Sequence, residues 1–184
     1  MWQTPFLLSG YHELSSTYPQ LESFFVKKLK VKKVTPGMLV DEITKMVNKK
    51  KPKYDRIRKR LIDVGMILAK TELDEETRNA LDALVGSEFL PKRFADGNTT
   101  LLAIDNDYAI ADHARYGSAF AEHDILLDFS VEEVQIMNVM FEHIDVQKYY
   151  LSSLVEEESK VEGDTEEDNS LSQQLQAKAY AFYW

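Results

Sequence analysis

The spacing of apolar residues along this chain changes character near residue 88: helical before it, extended after it, and helical again toward the end. Leu21, Phe24, Phe25 and Leu29 recur at helical intervals and predict a first helix over 19–29. Thr35 followed by Pro36 supplies an N-cap and a proline at the first helical position, where no N–H is needed. This opens a second helix with Leu39, Val40, Ile43, Met46 and Val47 on its inner face. The tract KKKPK at 49–53 breaks it. A third helix over 55–70 buries Ile57, Leu61, Val64 and Leu68, and a fourth over 74–85 turns Leu81, Leu84 and Val85 inward.

Residues 88–94 and 99–104 then read as two strands. Between them lie Ala95, Asp96, Gly97 and Asn98, with a glycine able to take the positive φ that a tight hairpin turn requires. An irregular stretch over 105–112 precedes a short helix over 114–121 and a buried strand over 125–129. Ser130 and Glu133 form the S-x-x-E capping box of a further helix with Val134, Met137, Phe141 and Ile144 inward. Residues 149–155 fit helix or strand equally. Residues 156–169 are dense in acid and hold no hydrophobe but Val161, so burial cannot offset their ordering entropy and a mobile acidic loop is expected. Ser170 and Gln173 open a closing helix with Leu171, Leu175, Ala179 and Phe182 on one face. It runs to Trp184 without the glycine or basic turn that usually ends a helix, and it is read as interrupted, part of a longer chain.

The resulting fold class is α+β. A basic helical subdomain over 14–86 is followed by an α+β subdomain over 87–155 containing the hairpin 88–104, then by the acidic loop 156–169 and the closing helix 170–184. A chain of 184 residues can bury a substantial core. It has no cysteine, which excludes disulfides, a thiol nucleophile and Cys-ligated metal. The short apolar patch at residues 5–8 lacks the basic start and long apolar run of a secretory signal, and no apolar run approaches membrane-spanning length. The expected setting is intracellular, cytoplasmic or nuclear, with no membrane partner.

Charge is polarised. Residues 27–60 hold 14 Lys and Arg against Asp41, Glu42 and Asp55, a balance of +11, which leaves −20 on the remainder of a chain whose net charge is −9. The basic third can either meet an acidic partner or be neutralised when the two parts pack, and internal compensation is the reading favoured here. For nucleic acid the candidate contacts are Lys49, Lys50, Lys51, Lys53, Arg56, Arg58 and Arg60. The second to fourth helices and the hairpin follow the order of a winged helix. The helix that would enter the groove, however, carries Asp74, Glu75, Glu76 and Asp82 against Arg78, and phosphate repels it.

Catalytic motifs are scarce. Neighbouring glycines are at least 11 positions apart, so no phosphate-cradling glycine loop is present. Asp105, Asp107, Asp112 and His113, with His123, Asp124 and Asp128 further on, are the weak candidates for a metal site and for a metal-dependent hydrolase. An EF-hand started at Asp105 would need glycine and glutamate where Ile110 and Tyr116 stand, and aspartates at such spacing more often form turns and caps. Asp145, Glu158 and Lys160 match an Asp then Glu-x-Lys nuclease pattern that a chain this rich in acid and lysine produces by chance. No catalytic residue and no cofactor is assigned.

Several phrases together resemble an internal region of large sacsin-like and NO VEIN-like proteins. They are FFVKKLKVKKVTPGMLVDEI at 24–43, RKRLIDVGMILAK at 58–70, FLPKR with the DG turn after it, DYAIADHARYGSAF at 107–120, LLDFSVEEVQIM at 126–137 and LSQQLQAKAYA at 171–181. The resemblance implies a region beyond the N-terminal ATPase domain of such proteins. That ATPase needs a D-x-G-x-G loop, and residues 105–109 have no glycine, so no family active-site residue is carried over. What it implies is a non-catalytic interaction or scaffold module whose partners are other domains of the parent chain or a separate protein.

Overall fold

The computed structural model describes residues 1–2, 12–121 and 123–158. The acidic stretch from 159 onward and the closing helix expected over 170–184 lie outside the described residues.

Three helices form the first half. α1 (Pro36–Val47) begins where the sequence places it, with the Met38 N–H donating to Thr35 Oγ1 at 3.3 Å. α2 (Tyr54–Leu68) follows the KKKPK break, and α3 (Glu75–Val85) is capped by Asp74, whose carboxylate accepts from the Thr77 N–H at 2.8 Å. α1 packs on both α2 and α3. Leu39, Val40 and Ile43 of α1, Ile57, Leu61 and Val64 of α2, and Leu81 of α3 are all fully buried, while Val85 stays half-buried. Each fully buried aliphatic side chain of this kind contributes about 1.5–3 kcal/mol.

The hairpin is present but shorter than the apolar pattern suggests. β1 (Leu90–Arg93) pairs antiparallel with β2 (Thr99–Leu102), with Leu90 opposite Leu102 and Arg93 opposite Thr99. Gly97 has φ +85°, the conformation for which the turn needs a glycine, and its N–H donates to Phe94 O at 2.9 Å. The strand expected over 125–129 is not a ladder strand. Leu127 makes one antiparallel bridge to Lys92 and Leu126 one parallel bridge to Ala109, so the segment lies beside β1 as an extended strap. Its burial is real, for Leu127 and Phe129 are both buried, but two isolated bridges replace a ladder.

α4 (Ala114–Ala119) is short. The helix opened by the Ser130/Glu133 capping box is split at Met137 into α5 (Val131–Ile136) and α6 (Asn138–His143). The ambiguous stretch near 150 folds as a 3₁₀ turn, Gln147–Tyr149, and one turn of helix, α7 (Leu151–Leu154). The hydrophobic residues on either side of position 86 form one continuous core, in which Phe89, Leu90, Phe129, Met137, Met140 and Phe141 pack with the inner faces of α1, α2 and α3.

The first helix expected from the sequence is realised as a 3₁₀ turn, Pro19–Leu21, running into a π-helical turn, Ser23–Lys28. Its apolar stripe is largely exposed: Leu21, Phe24 and Leu29 face out, and only Phe25 tucks in, stacked on buried Trp2 with ring centroids 5.8 Å apart. Among the described residues no helix is long and apolar enough to cross a membrane.

Candidate functional site

Asp128 lies where α2, β1 and the start of α5 meet. The strap that carries it is fixed from both sides, the Asp128 N–H donating to Pro91 O at 2.9 Å and the Leu127 N–H to Ala109 O at 3.0 Å. Tyr54 Oη then donates to Asp128 Oδ2 at 2.8 Å, and the Arg93 guanidinium reaches the same oxygen at 3.1 Å. Arg58 donates from Nε to the Asp128 carbonyl and from Nη2 to Glu133 Oε2, both at 2.6 Å, and lies over the Phe129 ring. Burial, followed by the hydrogen bond to Asp128, pushes the Tyr54 phenol far above its ordinary pKa. Tyr54 is therefore held as a protonated donor at neutral pH, and its hydrogen bond ties the start of α2 to the strap.

A second, buried set joins α1 to α2. Arg60 pairs with Glu42 at 2.9 Å and with Asp63 at 2.9 Å, all three less than a tenth exposed, and Arg56 reaches Glu42 from the surface at 3.2 Å. Burial raises the Asp63 carboxyl above the ordinary aspartate value, with Arg60 pulling the other way. Of the three arginines only Arg58 is compensated by the packing of the two parts, through Asp128 and Glu133, whereas Arg56 and Arg60 pair with Glu42 inside the basic third and Arg60 with Asp63 one turn along α2. Arg56, Arg58 and Arg60, all offered by the sequence as phosphate contacts, are held by carboxylates of this chain.

The four lysines of the same list behave differently. Lys49, Lys50, Lys51 and Lys53 are exposed, and none is ion-paired with another described residue. Their loop borders an open groove of ≈ 540 Å³ between three elements. Val47, Asn48, Pro52 and Tyr54 come from the α1–α2 connection, Gly86, Ser87 and Glu88 from the α3–β1 connection, and Thr99, Thr100 and Leu101 from β2. Hydroxyl and amide groups dominate the lining, with lysines interleaved between its residues in sequence. Glu88, which is exposed, is the one charged residue of the lining, and the four lysines lie in the adjoining loop.

The residues proposed for metal do not converge. Asp112 accepts from the Ser152 N–H at 3.0 Å and from the Ser152 hydroxyl, which fastens the start of α7. His113 caps α4, its Nδ1 accepting from the Arg115 N–H at 3.3 Å, and Asp124 accepts from the Ala95 N–H at 2.9 Å beside the hairpin turn. Asp105, Asp107 and His123 are exposed. Among the described residues no three His, Asp or Glu side chains form a group that could hold a metal ion. The acidic outer face of α3 is also in place, and His143 Nε2 lies 3.2 Å from Asp82 Oδ1 there.

Sequence reading missed the groove and the Asp128 clamp. Tyr54, Arg93 and Thr99–Leu102 carry no motif, and only the hairpin register and the placement of α2 bring them near one another. Comparison with curated proteins and with solved structures finds no match. A family model described as a domain of unknown function, DUF8348, matches residues 37–155, from the first turn of α1 to the residue after α7, and the chain belongs to that family.

Proposed function

We propose that the domain is a non-catalytic protein-interaction module that binds acidic protein segments, carried within a larger protein of the sacsin-like or NO VEIN-like kind. The observation that carries this reading is the division of labour among the basic residues. The arginines are consumed in holding the fold, whereas Lys49, Lys50, Lys51 and Lys53 stand exposed beside a polar groove. Support also comes from the groups a catalyst would need. Tyr54 is locked as a phenol, and Asp112, His113 and Asp124 are engaged in caps and turns.

Nucleic acid is the competing ligand, and the two separate in one experiment. Fluorescence anisotropy of a labelled Glu-rich peptide and of a labelled DNA duplex is followed with wild type and the K49E/K50E/K51E variant across a salt series. The expected result is peptide binding that falls at least about tenfold on charge reversal, with weaker binding of duplex. Tighter binding of duplex with a steep salt slope, or binding of neither probe, overturns the proposal.

A further inference from the structure

We infer that the groove takes its acidic segment as an added β-strand, paired along the outer edge of β2. This rests on the interaction reading above and specifies how the partner is held.

The sheet has one covered side and one open side. β1 is flanked by β2 and, through the Lys92–Leu127 bridge, by the strap that follows residue 125. β2 has no partner on its other side among the described residues. The hairpin register shows which of its backbone groups point there. Pro91 has no N–H to give, and its carbonyl accepts from the Asp128 N–H on the strap side, so the Pro91–Leu101 pair is a non-hydrogen-bonded one. Alternation puts Arg93–Thr99 in the same class. The N–H and C=O groups of Thr99 and Leu101 are therefore directed away from β1, toward the open side. Among the described residues these groups meet one side-chain donor, and it is distant, with Thr100 Oγ1 at 3.5 Å from Leu101 O.

The groove lies on that side. Successive residues of a strand alternate between its two faces, so a groove touching Thr99, Thr100 and Leu101 in turn runs along the strand edge and not over one face. Edge strands are usually guarded by charge, proline or a bulge. β1 carries Pro91, Lys92 and Arg93, whereas β2 reads Thr-Thr-Leu-Leu with no such guard. Charge complementarity names the occupant. An extended segment laid on β2 passes Glu88 in the lining and the adjoining loop bearing Lys49, Lys50, Lys51 and Lys53, whose four positive charges outnumber that one carboxylate and select acidic side chains, while the main-chain bonds supply sequence-tolerant affinity.

The test uses the full chain and a labelled alternating Glu–Thr peptide in fluorescence anisotropy. Two further peptides carry N-methyl groups on every second residue, one in each register. One register is expected to lose at least about tenfold in affinity and the other to keep most of it, because only one set of amides faces β2. Leu101→Pro, which removes an edge N–H, is expected to weaken binding similarly. Since that variant can fail to fold, amide exchange of wild-type Thr99 and Leu101 is measured with and without peptide, and both amides are expected to slow. Equal binding of all three peptides, with unchanged exchange at Thr99 and Leu101, overturns strand addition. If charge reversal of the lysines still abolishes binding in that case, the interaction reading survives alone, and if no peptide binds at all, both fall.

Discussion

Gly65 on α2 lies directly against Met137, the residue at which α5 gives way to α6. A Cβ placed on Gly65 would sit 2.7 Å from Met137 Cγ, 3.0 Å from Met137 Cα and 3.2 Å from the Ile136 carbonyl oxygen. Two of those three atoms belong to backbone that cannot step aside. The small residue therefore sets how closely the second half of the molecule approaches the helical first half. Gly65→Ala is expected to destabilise by about 1–2 kcal/mol in urea denaturation, because overpacking outweighs the roughly 0.5–1 kcal/mol that alanine gains in a helix. Gly86→Ala is the control. Gly86 has φ −75° and nothing within 4 Å of an added Cβ, so its stability should stay within about 0.5 kcal/mol of wild type or rise.

Arg58→Lys should not substitute for arginine. The guanidinium donates in two directions, to the Asp128 carbonyl and the Glu133 carboxylate, while covering Phe129, and a single ammonium cannot hold that geometry. A loss of about 1.5–3 kcal/mol is expected for lysine and for alanine alike, read by urea denaturation. A lysine variant as stable as wild type would show that charge alone suffices.

The Glu42–Arg60–Asp63 set gives a pH signature. Because burial raises the Asp63 pKa above its ordinary value of 3.8, the folded state binds that proton more tightly than the unfolded chain. The associated stabilisation is fully present below the unfolded pKa and is lost as pH rises through the folded one. Arg60→Met removes the charge that opposes this shift and should cost about 3–5 kcal/mol at neutral pH, recovering in part as the solution is acidified. Adding Asp63→Asn should flatten that recovery. Asp74 acts in the opposite sense: its pKa is lowered by bonding to Thr77, so its stabilisation is present above the ordinary value and disappears as pH falls through the folded one. Thermal melts between pH 3 and 7 of wild type, Arg60→Met and the double variant test the first effect, and Asp74→Asn tests the second.

Asp112 should behave as a fastener and not as a metal ligand. Asp112→Ala removes the acceptor for the Ser152 N–H and hydroxyl, so amide exchange over 151–155 is expected to quicken, while Asp107→Ala leaves it unchanged. Stoichiometric binding of magnesium, manganese or zinc in calorimetry, lost on either substitution, would restore the metal reading.

Local pattern sufficed for every feature whose energetics are local. The Thr35 cap, the Ser130/Glu133 box, the hairpin turn at Gly97 and the inner faces of α1, α2 and α3 follow from spacing and turn chemistry within a few residues. Tertiary packing decided the rest. Whether residues 125–129 form a strand depends on how many ladder bonds a neighbour offers, and Ala109 and Lys92 each offer one bridge. The helix after Ser130 breaks at Met137, where α2 presses against it, and the stripe at Leu21, Phe24 and Leu29 stays exposed although its spacing suits burial. The candidate site lies on this second side. A run of basic residues is visible in the sequence, and so is the i,i+3 spacing of Arg60 and Asp63, but only the fold brings Glu42 to Arg56 and Arg60 and Glu133 to Arg58 and leaves the lysines of 49–53 open beside β2, since ion pairs between different elements have no signature in spacing.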